Sequence, residues 1–291
     1  MIGKTRTRCR RGQLQPSRTT LVVCALLAAA TASGSAGAQL PLEPQRDAGQ
    51  SVSPAFEGWF KNADGTFTLL VGYFNRNRKE IVDIPVGPDN RIDPGGPDYG
   101  QPTHFLPRRN WGVFAIRVPA DFGDRKLTWT INANGKPVSI PLGLTRDYQI
   151  EPFKDAAQGN TPPVLRVSPD GPPLQGPPNG HAATLTARVA QPLTLTLYAT
   201  DDGIVDPNRK VPEWPVSVTW FKHRGPGTVS ITPAKPEIDR TTGQATASAT
   251  FAQPGEYVLR AQANDVSGEG GGGFQCCWTN VHIKVTVAPG S

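Results

Sequence analysis

The stretch that decides the fold is Cys276-Cys-Trp-Thr-Asn-Val-His-Ile-Lys-Val-Thr-Val287, close to the end of the 291-residue chain. Its apolar side chains recur at every second position, at Cys277, Val281, Ile283, Val285 and Val287. Successive side chains of a β-strand point to opposite faces. The alternation therefore predicts a strand with one face in a core. Its other face carries Trp278, Asn280, His282 and Lys284 and points away from that core.

The rest of the second half shows the same kind of pattern. Turn signals separate its apolar segments roughly every 8–12 residues, which is typical of a β-sandwich. The other predicted strands are Val164–Val167, Leu185–Val189, Leu193–Thr200, Val216–His223, Thr228–Thr232, Gln244–Phe251 and Glu256–Asn264.

The first half predicts a second sandwich of six or seven strands. Asp64-Gly65 and Asn134-Gly135 are hairpin turn sequences, because Gly, Asn and Asp tolerate the positive φ that a tight turn requires. Between the predicted strands, Gly87–Thr103 is rich in Pro, Gly and Asp and is predicted to be a loop without an element of its own. The predicted strands are Phe56–Phe60, Thr66–Arg76, Glu80–Val86, Trp111–Val118, Leu127–Asn132 and Pro137–Leu142.

The predicted fold class is all-β, with two tandem antiparallel β-sandwiches of immunoglobulin-like type after a signal peptide. The polar, proline-ended stretch before Pro163 resembles a linker. The predicted organisation is a signal peptide at 1–38, an N-terminal sandwich at 39–155, a linker at 156–163 and a second sandwich at 164–291.

The predicted signal peptide has a basic start, an apolar run from Leu21 to Ala30 and an A-x-A-like end at Ala38. The run is too short to span a bilayer. Export by the Sec or the twin-arginine route stays open, and the mature chain is expected in the periplasm, secreted or on the cell surface.

Six of the 30 basic residues and none of the 24 acidic residues lie in 1–38. The remainder has no net charge, which argues against a nucleic-acid partner.

Four motifs of the second half carry a family resemblance. They are Asn160-Thr-Pro-Pro-Val164, Ala199-Thr-Asp-Asp-Gly203, Val218-Thr-Trp-Phe221 and Phe251-Ala-Gln-Pro-Gly-Glu-Tyr257. Over about residues 160–289 the chain resembles polycystic-kidney-disease (PKD) and related bacterial immunoglobulin-like domains. The resemblance implies a two-sheet sandwich that acts as a spacer or binding module, with Trp220 in its core and Tyr257 at the tyrosine position after Pro-Gly. The N-terminal half resembles uncharacterised bacterial exported proteins.

In the immunoglobulin-like topology, three of the predicted strands share one sheet. The outward positions of that sheet are called the outer face here. With two aromatic side chains and an arginine, the outer face has the composition of a contact surface. It either binds a partner or packs against the first half of the same chain. The candidate binding residues are Phe221, His223, Arg260, Gln262, Trp278 and His282, next to Cys276.

Two further sets of residues are candidates for a disulfide and for a metal site. Cys276 and Cys277 form a vicinal disulfide only if the strand begins after Cys277; otherwise they are free thiols, pair with another chain or bind a soft metal with His282. Carboxylates at Asp201, Asp202, Asp206 and Asp265 are candidate Ca²⁺ ligands, with ordinary turn chemistry as the alternative. No other cofactor is expected.

The sequence lacks the motifs of serine hydrolases, zinc proteases and cytochromes c. A sequence does not reveal a carboxylate pair for glycoside hydrolysis, because the two residues come together only in the folded chain. The leading hypothesis is a non-catalytic exported protein that binds an envelope protein or a glycan and does not span the membrane after signal removal. The alternative is a carbohydrate-binding or polysaccharide-processing protein that stacks Trp59, Trp111 or Trp278 on sugar rings.

Overall fold

The computed structural model describes residues 46–151, 159–204, 216–267 and 276–290. This part of the chain is all-β, as predicted, with one short 3₁₀ helix at Arg146–Tyr148. Gln45–Ser291 forms one compact unit. The predicted signal peptide and residues 156–158 of the predicted linker lie outside the described residues. Within them, no helix is both long enough and apolar enough to cross a membrane.

The N-terminal sandwich contains two three-stranded sheets, ordered β1-β2-β6 and β4-β7-β8, and a small β3-β5 sheet. Its core surrounds Trp129, which is fully buried, with the rings of Phe105 and Phe114 close by. Its strands are β1 (Val52–Lys61), β2 (Phe67–Asn75), β3 (Val82–Asp83), β4 (Asn90–Asp93), β5 (His104–Phe105), β6 (Arg108–Val118), β7 (Lys126–Ala133) and β8 (Lys136–Gly143).

The prediction of an element-free loop at Gly87–Thr103 is wrong, because β4 lies within it and pairs with β7. A buried asparagine, Asn90, holds this segment in place. Its Nδ2 donates to the carbonyl oxygens of Ile84 and Pro102, and its Oδ1 accepts a hydrogen bond from Nε1 of Trp129. Tertiary hydrogen bonds therefore specify a strand that local composition disfavours.

The predicted hairpin turn between β7 and β8 is confirmed. Asn134 and Gly135 have φ values of 54° and 70°, which is the positive-φ pair of a type I′ turn. The eight pairs of the β7–β8 register run from Lys126↔Gly143 to Ala133↔Lys136 without a shift.

The C-terminal sandwich has the strand order of an immunoglobulin domain. One sheet is ordered β13-β14-β11-β9 and the other β10-β16-β15-β12, which correspond to the D-E-B-A and A′-G-F-C arrangements. One pairing, β10 with β16, is parallel, so the sandwich is not antiparallel throughout. The strands are β9 (Val164–Arg166), β10 (Ala183–Arg188), β11 (Leu193–Thr200), β12 (Ser217–Arg224), β13 (Val229–Thr232), β14 (Gln244–Phe251), β15 (Gly255–Asn264) and β16 (Trp278–Ala288).

Both residues that the family resemblance placed in this sandwich lie in its core. Trp220 is buried on β12, and Tyr257 is fully buried on β15. The Tyr257 hydroxyl donates to the carbonyl oxygen of Gln253 at 2.9 Å and accepts from the N–H of Gly227 at 3.1 Å. This is the tyrosine corner of immunoglobulin-like sandwiches.

Replacing Tyr257 with phenylalanine is expected to lower the free energy of unfolding by about 1–2 kcal/mol, because the buried partners of the hydroxyl lose their hydrogen bonds. Urea unfolding measures the change. Tyr198→Phe is the matched control, since no hydrogen bond to the Tyr198 hydroxyl occurs in the described part of the chain. Equal effects of the two substitutions would contradict the role of the corner.

Candidate functional site

The outer face of the C-terminal sandwich lies against the N-terminal sandwich. Phe221 is half-buried, and the other five candidate binding residues are at most 8% exposed. Of the two alternatives that the sequence left open for this face, the structure shows packing against the first half of the same chain. The buried residues are His223, Arg260, Gln262, Trp278 and His282.

Trp278 packs directly against Gly112 in this interface. Trp278 is fully buried, and a Cβ on Gly112 would lie 2.5 Å from Cζ2 of the indole ring and closer still to Cη2. Gly112 also has a φ of 50°, in the left-handed region that disfavours side chains. Only glycine allows β6 to approach the indole this closely.

A buried carboxylate fixes the backbone at Gly112. Oε2 of Glu57 accepts the Gly112 N–H at 2.7 Å, and its Oε1 accepts from Nη2 of Arg109 at 2.7 Å. Burial raises the pKa of Glu57 to about 7, against the opposing effect of Arg109. The carboxylate thus connects the irregular β1 and β6, both of which have register shifts in this region.

Two histidines attach the outer face to backbone carbonyls of the N-terminal sandwich. His223 Nε2 lies 2.9 Å from the oxygen of Gly100, and His282 Nε2 lies 2.9 Å from the oxygen of Val113. A carbonyl oxygen can only accept, so each Nε2 carries the proton. The two rings lie 4.3 Å apart, centroid to centroid.

Both histidines are held neutral. Burial lowers the pKa of His282 to about 3 and, with the nearby His282 ring, lowers the pKa of His223 well below its ordinary value. Arg260, which is buried between their strands, lowers the pKa of both. Arg260 also reaches Oδ1 of Asn110 at 3.3 Å and lies 4.7 Å above the Phe221 ring.

Ion pairs occupy the rim of the interface. Lys222 pairs with Asp83 at 3.2 Å, and Arg224 binds both oxygens of Asp98 at 2.7 and 3.0 Å. Hydrogen bonds from His104 and from Arg224 lower the pKa of Asp83 and of Asp98, respectively. Ion pairs that involve exposed carboxylates contribute little to the free energy of unfolding. These pairs therefore serve mainly to orient one sandwich on the other.

Sequence reasoning missed Glu57, Gly112 and the rim carboxylates. Apart from His104 beside Asp83, the partners described above lie more than 50 residues away along the chain, and no local pattern reports such contacts. One signal was present: a glycine inside a strand, between Trp111 and Val113, is typical of a close approach by another part of the chain.

Cys276 and Cys277 form a disulfide, and β16 begins at the next residue, Trp278. This is the condition under which the sequence allowed a vicinal bridge. Both cysteines are buried. The bridge directly precedes the indole that contacts Gly112.

The acidic candidates lie at one end of the C-terminal sandwich, except Asp206, which is outside the described residues. Asp265 accepts from Asn160 Nδ2 at 2.7 Å, and Asp202 accepts from Thr161. The buried Oδ1 atoms of Asp201 and Asn160 have no hydrogen-bond partner among the described residues. Burial, together with the charges of Asp202 and Asp265, raises the pKa of Asp201 to about 6. In the described part of the chain, no three His, Cys, Asp or Glu residues are arranged to hold a metal ion.

The Ca²⁺ hypothesis remains a prediction with a direct test. With the dissociation constant of about 10⁻⁴–10⁻³ M that is usual for extracellular modules, 10 mM CaCl₂ should stabilise the fold by about 1.4–2.7 kcal/mol. Asp201→Asn should abolish the gain, and the control Asp170→Asn, at an exposed position, should keep it. An unchanged unfolding midpoint in the wild type would rule out the site.

The three tryptophans of the carbohydrate hypothesis differ in exposure. Trp278 is fully buried, whereas Trp59 and Trp111 are half-buried. Nε1 of Trp59 donates to the carbonyl oxygen of Thr145, and the Arg109 guanidinium lies 3.8 Å above the Trp111 ring. Trp278 is therefore unavailable to a sugar in this fold.

The chain has no match among family models or curated proteins. Among solved structures it is similar to domains 4 and 5 of the S-layer protein SbsC, with 10% identity over 57% of this chain and 66% of that chain and a TM-score of 0.25. It is also similar to titin domains Z1Z2 in complex with telethonin, with 11% identity over 82% and 98% of the two chains and a TM-score of 0.24. The third is the D0–D1 domain of intimin, with 12% identity, coverages of 81% and 95% and a TM-score of 0.22.

This chain spans just under two thirds of the SbsC two-domain structure and 28% of a longer SbsC structure. Scores this low carry no argument about function. The immunoglobulin-like assignment of the C-terminal sandwich rests on its own strand order.

Proposed function

We propose that this chain is an exported, non-catalytic protein whose two interlocked β-sandwiches act as a binding, adhesion or assembly component of the cell envelope. The observation that carries the proposal is the polar, buried interface between the sandwiches, which fixes their relative orientation. A fixed tandem suits a component that holds partners at a defined spacing. The proposed location is the periplasm, the cell surface or the medium, on the strength of the signal-peptide pattern in residues 1–38.

The proposed partner is an envelope protein or a glycan. The glycan alternative is supported by the half-buried Trp59 and by the ring pair of Phe56 and Tyr148, 5.2 Å apart, beside the backbone bridge from Trp59 to Gln149. Tyr148 is 50% exposed. Such partly exposed rings offer an apolar surface on which a sugar ring can stack.

Two measurements test the proposal. Intact mass of the chain recovered from the envelope fraction should correspond to a start at Gln39. A cytosolic chain that retains residues 1–38 would overturn the proposed location.

A glycan array then separates the alternatives: a signal lost in Trp59→Ala but kept in Tyr198→Phe supports glycan binding. Silence on the array, with specific capture of an envelope protein, supports protein assembly. Turnover of a glycan, peptide or ester would overturn the non-catalytic role.

A further inference from the structure

A cavity of about 330 Å³ opens between the two sandwiches. Three of the four histidines of the sequence line it, namely His181, His223 and His282, together with Arg224. Asp98 is the one carboxylate among the described residues that line it, and both of its oxygens bind the Arg224 guanidinium. The remaining lining comes from apolar residues, glycines and Tyr99, whose hydroxyl donates to the carbonyl oxygen of Pro94. The imidazoles are therefore the side chains that are available to a ligand.

The proton positions on two of these imidazoles follow from their hydrogen bonds. His223 and His282 donate Nε2–H to the carbonyl oxygens of Gly100 and Val113. Each neutral ring therefore has its lone pair on Nδ1, and a second proton added there makes the ring a donor on both sides. His181 is exposed and lies at the solvent side of this group.

Three cations lie near the histidines, and carboxylates accompany each of them: Asp98 pairs with Arg224, Glu256 pairs with Lys284, and Glu57 lies near Arg260. Arg224 lowers the pKa of all three histidines, Arg260 lowers that of His223 and His282, and Lys284 lowers that of His181. Burial is the larger cause in each case, but the cations act in the same direction. An anion in the cavity would raise the pKa of these histidines, because it offsets the cost of burying an imidazolium and the repulsion from these cations.

We propose that this cavity binds a small oxyanion, a carboxylate or a phosphate, and that binding is coupled to uptake of a proton from solvent on Nδ1 of His223 or His282. The protonated imidazole then donates a charge-assisted hydrogen bond to the anion, while His181 closes the open side. The cavity has room for a terminal sugar acid or a free phosphate. This site is independent of the envelope role proposed above and assigns the protein a ligand class of its own.

A transition metal is the competing ligand, because neutral imidazoles whose other nitrogen donates to a carbonyl are typical metal ligands. Two observations favour the anion. The guanidinium groups of Arg224 and Arg260 oppose positive charge on both buried rings, and within the described ranges no three metal-ligating side chains are close enough to hold a metal ion.

The test is calorimetric titration of the full chain with inorganic phosphate and, separately, with glucuronate, in a piperazine–chloride buffer of constant ionic strength. Saturable binding is expected. For glucuronate, whose carboxylate stays ionised across this range, binding should be about tenfold tighter at pH 5.5 than at pH 7.5 because the protein takes up a proton with the anion. His181→Gln should weaken binding at least threefold. The matched control is His104→Gln, because His104 lies outside this cavity and pairs with Asp83.

Each outcome decides the proposal. Binding of phosphate alone identifies a free inorganic anion as the ligand source, whereas binding of glucuronate as well identifies carboxylates. Phosphate-induced shifts of the His223 and His282 ring signals in NMR provide a readout that needs no variant. The proposal is overturned by the absence of saturable binding, by affinity that does not rise towards pH 5.5, or by Zn²⁺ binding in place of the anion.

Discussion

Replacing Gly112 with alanine is expected to lower the free energy of unfolding by roughly 2–4 kcal/mol. The new methyl group meets the buried Trp278 ring, and overpacking of this kind costs about 1–3 kcal/mol. Alanine also adopts the left-handed φ of 50° at a cost of about 1 kcal/mol. Urea unfolding followed by tryptophan fluorescence measures the loss.

Gly123→Ala is the matched control for this prediction. Gly123 has nearly the same φ, 55°, but a Cβ there meets no atom nearer than 3.9 Å. The difference between the two variants therefore isolates the contact with Trp278. The substitutions Gly112→Ala and Trp278→Ala should also be less than additive by at least about 1 kcal/mol, because they share one contact. Equal losses for the two glycine variants would contradict the packing.

Acidification is expected to destabilise the wild type relative to His282→Gln by roughly 3 kcal/mol between pH 7.5 and pH 4. The pKa of His282 is about 3 in the folded state and about 6.5 when unfolded. The unfolded chain therefore binds the proton first. The stability that the neutral ring contributes is complete above pH 6.5 and is lost as the pH falls towards 3.

Glutamine is the appropriate replacement because its amide N–H can still donate to the carbonyl oxygen of Val113. Unfolding free energies of both proteins at pH 7.5, 6, 5 and 4, in a buffer without phosphate or carboxylate, provide the comparison. Parallel curves would refute the neutral, buried histidine. If the variant folds poorly, the wild-type His282 ring signals in NMR should stay unchanged from pH 8 to pH 5, and movement of those signals would refute it equally.

The alternation in the last strand predicted correctly which residues of β16 face the core and which face away. Val281, Ile283 and Val285 are buried in the C-terminal sandwich, and Trp278 and His282 lie on the opposite face. Alternation of apolar and polar residues shows which side chains of a strand face the core. It contains no information on what covers the side chains that face away. The covering residues, Gly112 and Val113, lie 166 and 169 positions before Trp278 and His282, so composition alone left binding and packing as alternatives.

Two other features depended on contacts that a single sequence does not report. Strand β4 forms in a segment rich in Pro and Gly because Asn90 finds buried partners there. The bridge between Cys276 and Cys277 depended on where β16 begins, and strand ends are the least certain part of a sequence-based prediction. Tyr257 and Trp220, by contrast, followed from motifs that immunoglobulin-like sandwiches share.

The central claim is that the two sandwiches fold as one unit because the outer face of one is buried against the other. Differential scanning calorimetry of the purified chain at pH 7.5 tests it most directly. We expect one transition with equal calorimetric and van't Hoff enthalpies, which Gly112→Ala broadens or splits. Two separate transitions in the wild type, unaffected by that substitution, would contradict the claim.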